Sequence, residues 1–130
     1  MANEMKTYRV TVTREDGDWL GQCVEYPGAL DFAPTLKKLC KGMTDAIILS
    51  ADLPDDATFN IQLEAGEGLS PEIGTAFAIA KKRLELQEEK ARLQEATLRS
   101  IHALREEGYS TRDIASALGI TAGRVSQLAG

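Results

Sequence analysis

Apolar and polar residues alternate from Lys6 to Arg14, with Tyr8, Val10 and Val12 set against Thr7, Arg9, Thr11 and Thr13. Side chains on a strand point to opposite faces in turn, so this spacing predicts a half-buried β-strand. Asp16-Gly17 follows and predicts a two-residue hairpin turn, because both residue types tolerate positive φ. A second strand is predicted through Trp19–Glu25, broken by Tyr26-Pro27-Gly28, with a short third strand over Ala29–Phe32. Pro34 and Thr35 then open a helix whose Leu36, Leu39, Met43 and Ile47 fall on one stripe. Pro54, Asp55 and Asp56 end it, and Thr58–Leu63 alternates again as a fourth strand. The order βββαβ predicts an α+β unit over residues 1–66, a small antiparallel sheet with one helix on its face. A unit of about sixty residues buries a thin core and is expected to need a partner surface.

The period then changes. Ala65-Gly66-Glu67-Gly68-Leu69 is a joint, and Ser70-Pro71-Glu72 supplies a cap, a first-turn proline and an early acid. No breaker appears before Gly108, so one linking helix is predicted over residues 70–107. Ile73, Phe77, Ala80, Leu84, Ala91 and Leu98 form one apolar stripe, and Ile79, Leu86 and Leu93 repeat every seven residues as a second. At about 100° per residue the two lie about 140° apart, so one surface cannot cover both. The second stripe predicts a homodimer or tetramer with Ile79, Leu86 and Leu93 in the contact. Gln87 and Gln94 interrupt the pattern and leave its geometry open, and the competing reading is a solvated spacer laced with Glu85, Glu88, Glu89, Lys90 and Arg92.

Residues 98–130 predict a trihelical unit, with Leu98, Ile101 and Leu104 supplying its first helix. Ser110 is a good N-cap with Asp113 three positions later, and Ile114 and Leu118 are an apolar i, i+4 pair. Ala115 is small where a second helix must approach, Gly119 can turn the chain at positive φ, and Ile120 fills the corner. Thr121 caps a last helix whose apolar face is Val125 and Leu128. This segment resembles the helix-turn-helix of resolvase-like, sigma-factor-like and phage-repressor-like DNA-binding domains. The resemblance implies double-stranded DNA as partner, with the last helix reading the major groove through Thr121, Ala122, Gly123, Ser126 and Gln127. Arg112 and Arg124 flank those positions, within reach of phosphates or a guanine edge. A module that only packs, or that binds protein, is the competing reading.

Charge modifies this picture. The 130-residue chain carries 15 Lys and Arg against 20 Asp and Glu, which excludes a protein that coats nucleic acid nonspecifically. Residues 1–60 carry 6 basic against 10 acidic groups, whereas residues 98–130 carry 4 against 3. Phosphate neutralisation supplies much of DNA affinity, so one reader this weakly basic predicts duplication by oligomerisation.

Val24-Glu25-Tyr26-Pro27-Gly28 after the second strand, and Thr35-Leu36 at the helix start, resemble the N-terminal domain of HicB-family antitoxins. The resemblance implies a truncated ribonuclease-H-like fold joined to a C-terminal helix-turn-helix, a HicA-like ribonuclease toxin as partner, and repression of the operon by operator occupancy. The chain departs from the family pattern at Ala33-Pro34 and at Lys37-Lys38, where glycine or polar and then acidic residues are usual.

No catalytic chemistry is expected. Two-metal hydrolysis needs converging carboxylates, whereas Asp16 and Asp18 suit a turn and Asp31 stands alone on a short strand. His102 has no Ser or Cys partner that the sequence justifies, and Cys23 and Cys40 with that one histidine do not make a metal set. No cofactor or metal is expected. The polar opening MANEMKTYRV, the two isolated thiols and the lack of a long apolar run predict a cytoplasmic location without membrane attachment.

Overall fold

The computed structural model describes residues 5–130, so Met1–Glu4 of the polar opening segment lie outside the described residues. The elements are β1 (Thr7–Glu15), β2 (Asp18–Cys23), β3 (Leu30–Ala33), α1 (Leu36–Ser50), β4 (Asn60–Ala65), α2 (Pro71–Glu106), α3 (Thr111–Leu118) and α4 (Ala122–Ala129). The chain is α+β and forms two compact units, one ending at Leu84 and the other comprising Glu85–Gly130. Among the described residues no helix is long and apolar enough to cross a membrane.

The first unit is built on a four-stranded sheet of order β3-β2-β1-β4. Asp16 and Gly17 adopt φ of 51° and 85°, the doubly positive turn that matches the right-handed twist of paired strands. It brings Arg14 opposite Trp19, with the guanidinium 4.5 Å from the ring centroid. The sheet is mixed, which corrects the expectation of an antiparallel one. β1–β2 and β2–β3 are antiparallel, but β4 pairs with β1 in parallel, from Thr7↔Asn60 to Val12↔Ala65. The reason is α1. A helix between two strands returns the chain to the end from which it left, so β4 runs parallel to β3 and therefore to β1.

Thr35 is the N-cap of α1, and its hydroxyl accepts the Lys38 N–H at 3.2 Å. Pro34 thus precedes the cap instead of opening the helix. Leu39, Met43 and Ile47 are wholly buried against Tyr8, Val10, Val12 and Cys23, while Leu36 is half-buried at the first turn. Each full burial of such a side chain contributes roughly 1.5–3 kcal/mol. Two glycines let helix and sheet meet closely. A Cβ on Gly21 of β2 would stand 3.1 Å from Val10 and 3.3 Å from Leu39. A Cβ on Gly42 of α1 would overlap the Asp31 carboxylate of β3. Asp31, the acid of the short strand β3, is therefore packed against α1.

The core extends beyond the βββαβ segment. Ile73 and Phe77, from the first two turns of α2, join it, and Phe77 is 7% exposed. Gln62 of β4 is buried beneath them and its amide donates to the carbonyls of Leu63 and Phe77 at 3.1 and 3.3 Å. The compact unit extends to Leu84, because the thin core takes part of α2 as its cover. At the end of β2, Glu25 clamps the sheet. It accepts the Arg9 backbone N–H and Nε–H, each at 2.8 Å. Partial burial alone would raise the Glu25 carboxyl, but the Arg9 bonds outweigh it and hold the group below its ordinary range.

Replacing Gly42 by alanine is expected to destabilise the protein by about 1–3 kcal/mol, because Asp31 or the helix must shift. Chemical denaturation checks it, with Asp31→Ala recovering part of the loss in a double-mutant cycle. Additive losses would show that the two residues do not compete for space.

Candidate nucleic-acid interface

The second unit is small, and its helices start and stop for local reasons. Gly108 at φ 90° ends α2, and the Tyr109 N–H closes back on the Leu104 carbonyl at 3.1 Å. Ser110 caps α3, its hydroxyl accepting the Asp113 N–H at 3.1 Å. Gly119 ends α3 in the left-handed region, φ 74°, where a Cβ would add strain. Two residues later Thr121 caps α4 by accepting the Arg124 N–H at 3.0 Å. Each short helix has one of its free N-terminal donors satisfied by its cap side chain, a support it needs because eight residues are too few to be stable alone.

Their shared core is compact. Ile101 of α2, Ile114 of α3 and Val125 of α4 are wholly buried and Ala115 is 5% exposed. Leu104, Leu118, Ile120 and Leu128 close around them. The Ile120 N–H reaches the Ala115 carbonyl at 3.0 Å, so the corner residue is held both by packing and by the turn.

Every residue that the sequence offers for DNA contact is exposed. Thr121, Ala122, Gly123, Arg124, Ser126 and Gln127 lie on the cap and first two turns of α4, and Arg112 on the first turn of α3. The geometry links two of them, for Arg124 Nη1 donates to Gln127 Oε1 at 3.4 Å. Gly123 needs no special φ, and a Cβ there would meet only Thr121 Oγ1 at 3.9 Å. Nothing within the unit requires its missing side chain, and the backbone on that side of α4 is open to approach. His102 is exposed and stands in no metal set, since among the described residues no group of three or more His, Cys, Asp or Glu is placed to hold an ion. The two thiols are free, Cys23 buried and Cys40 half-buried, and burial pushes the Cys40 thiol up, away from the reactive thiolate.

On α2, Ile79, Leu86 and Leu93 are 53%, 51% and 67% exposed. Of the other stripe, Phe77 is buried and Ile73 and Leu84 are half-buried, whereas Ala80, Ala91 and Leu98 are exposed. A further surface was not evident from the motifs. Asp45, Ile48, Leu49, Asp52, Leu53 and Asp55 line a groove at the end of α1. The sequence signal for it is negative in form: no lysine or arginine occurs from Gly42 to Ala80.

Compared with protein families, with curated proteins and with solved structures, the chain matches none.

Thr121→Ala is expected to cost about 1 kcal/mol, since the Arg124 N–H loses its acceptor, whereas Thr121→Ser should cost little. Amide exchange resolved over Glu85–Gly130 measures the local opening. Equal protection at Arg124 in both variants would remove the cap from the account.

Proposed function

We propose that the protein is a DNA-binding transcriptional regulator of the antitoxin type that represses by occupying an operator. The single observation carrying this reading is α4, a capped helix whose exposed side holds only small and polar residues and one arginine, on a core shared with α3. In this reading α3 and α4 form a helix-turn-helix and α4 enters the major groove. Gln127 pairs with an adenine edge, oriented by its bond to Arg124, while Ser126 and Thr121 contact a base edge or a phosphate. Arg112 and Arg124 neutralise phosphates and position the helix without reading sequence.

Four arginines within residues 98–130 are few for one reader, so a second copy is part of the proposal. The exposed Ile79, Leu86 and Leu93, seven residues apart, are suited to line such a contact. Two copies place two α4 helices on half-sites about 34 Å apart or a multiple of that.

A second reading concerns the first unit, as a protein-docking domain without hydrolytic activity. Its support is acidity, with seven carboxylates and no basic group between Gly42 and Ala80. The resemblance to HicB antitoxins implies a basic ribonuclease toxin as the partner.

A mobility-shift assay at stated salt, on DNA upstream of the gene, tests the DNA reading. Gln127→Ala is expected to relax preference at one base position, at about 1–3 kcal/mol on the cognate site. Arg124→Ala should weaken binding to all sequences and lower the salt slope by about one. Leu86→Asp should reduce assembly in light scattering and affinity together. Binding that survives deletion of residues 109–130 would end the proposal.

A further inference from the structure

The end of α1 carries an apolar groove that the DNA reading does not use. Ile48, Leu49 and Leu53 line it together with Asp45, Asp52 and Asp55, around a volume of about 440 Å³. Leu49 is 83% exposed, the largest value among the exposed large apolar side chains described. The core stripe of α1 is Leu39, Met43 and Ile47, so at 100° per residue Leu49 and Asp45 fall on the side of the helix away from the sheet. The chain folds back locally to build the groove. Asp52 takes φ 54°, unusual for a residue with a side chain, and the Leu53 N–H closes onto the Ile48 carbonyl at 2.9 Å. That turn places Leu53 beside Ile48.

The electrostatics are unbalanced. The negative end of a helix dipole favours cations, yet the last turn of α1 has no basic residue and the charged lining of the groove is acidic. The imbalance is not local, because the absence of lysine and arginine extends to Ala80. The lining carboxylates do not cage a metal, since among the described residues no group of three or more His, Cys, Asp or Glu is placed to hold an ion. An anionic membrane or nucleic acid would be repelled. An aliphatic and carboxylate lining together suit one kind of occupant, an aliphatic side chain flanked by cations.

We propose that the groove formed by Ile48, Leu49 and Leu53 docks a segment of another protein that presents a leucine-like side chain between lysines or arginines. The inference rests on the protein-docking reading of the first unit and is independent of DNA binding. It places docking at the end of α1, apart from the sheet and from the Tyr26-Pro27-Gly28 turn. A second copy of the chain is the competing occupant, since Lys81-Lys82-Arg83 is its own run of cations.

The test is a backbone amide NMR titration of the full chain with an amidated helical peptide of leucine and lysine in an i, i+4 pattern. Two control peptides replace every lysine by glutamate or every leucine by serine. Shifts are expected to concentrate at residues 45–55, with neither control binding. Affinity should fall at least ~tenfold for Leu49→Gln and for Asp45→Asn/Asp55→Asn. All three positions lie on the groove surface, so an unchanged spectral dispersion verifies that the variants fold. Shifts elsewhere on the first unit with residues 45–55 unmoved would overturn the groove while leaving protein docking in place. No shift with any peptide would overturn both. Equal binding of the serine control would reduce the surface to charge alone and overturn the proposal. Shifts at residues 45–55 on concentrating the protein by itself would assign the groove to a second copy and overturn it equally.

Discussion

The close seating of α1 on the sheet is the contact on which the first unit depends. Helix and strands meet at Gly21 and Gly42, where side chains are absent, and Leu39 and the Asp31 carboxylate occupy the space so released. With α1 held there, Leu39, Met43 and Ile47 reach Val10 and Val12 and the core closes. The direction of β4 follows from the same seating, because the helix must return the chain before the last strand forms. The remaining opening is filled by Ile73 and Phe77, with the buried Gln62 amide donating to the Phe77 and Leu63 carbonyls.

The second unit reaches order by different means. Its wholly buried set is Ile101, Ile114 and Val125, too small a core to hold loosely started helices. Ser110, Gly119 and Thr121 each define a helix end through one hydrogen bond or one left-handed residue. Because those ends are set locally, α4 can leave nearly its whole outer side free of packing duties. Small and polar residues occupy that side.

Charge and exposure are distributed unevenly, and the distribution matters more than the net value. Arginines mark the α3–α4 segment, whereas the stretch from Gly42 to Ala80 is acidic throughout its charged positions. Exposed leucines occur at the end of α1 and along α2, at Leu49, Leu86 and Leu93. Those on α2 repeat at the spacing of helix pairing, and the one on α1 sits among carboxylates. The same residue type therefore stands in unlike surroundings at the two places.

Much of this was legible without coordinates, and the legible part was local. Alternation around Val10 and Val12, the Asp16-Gly17 turn, the caps at Ser110 and Thr121 and the left-handed Gly119 each involve residues within a few positions of one another. Short-range backbone chemistry decides them, so the sequence states them directly. The exposed residues of α4 were legible for the same reason, since the helix period assigns its outer side once Val125 and Leu128 are inward. What only the tertiary structure decided was pairing over distance. The parallel partnership of β4 with β1, the packing of Asp31 under Gly42, the inclusion of Phe77 in the sheet unit and the groove at Leu49 all join residues whose periodicity is silent about their partners. Periodicity tells a residue which way to face; only the closed chain determines what it meets.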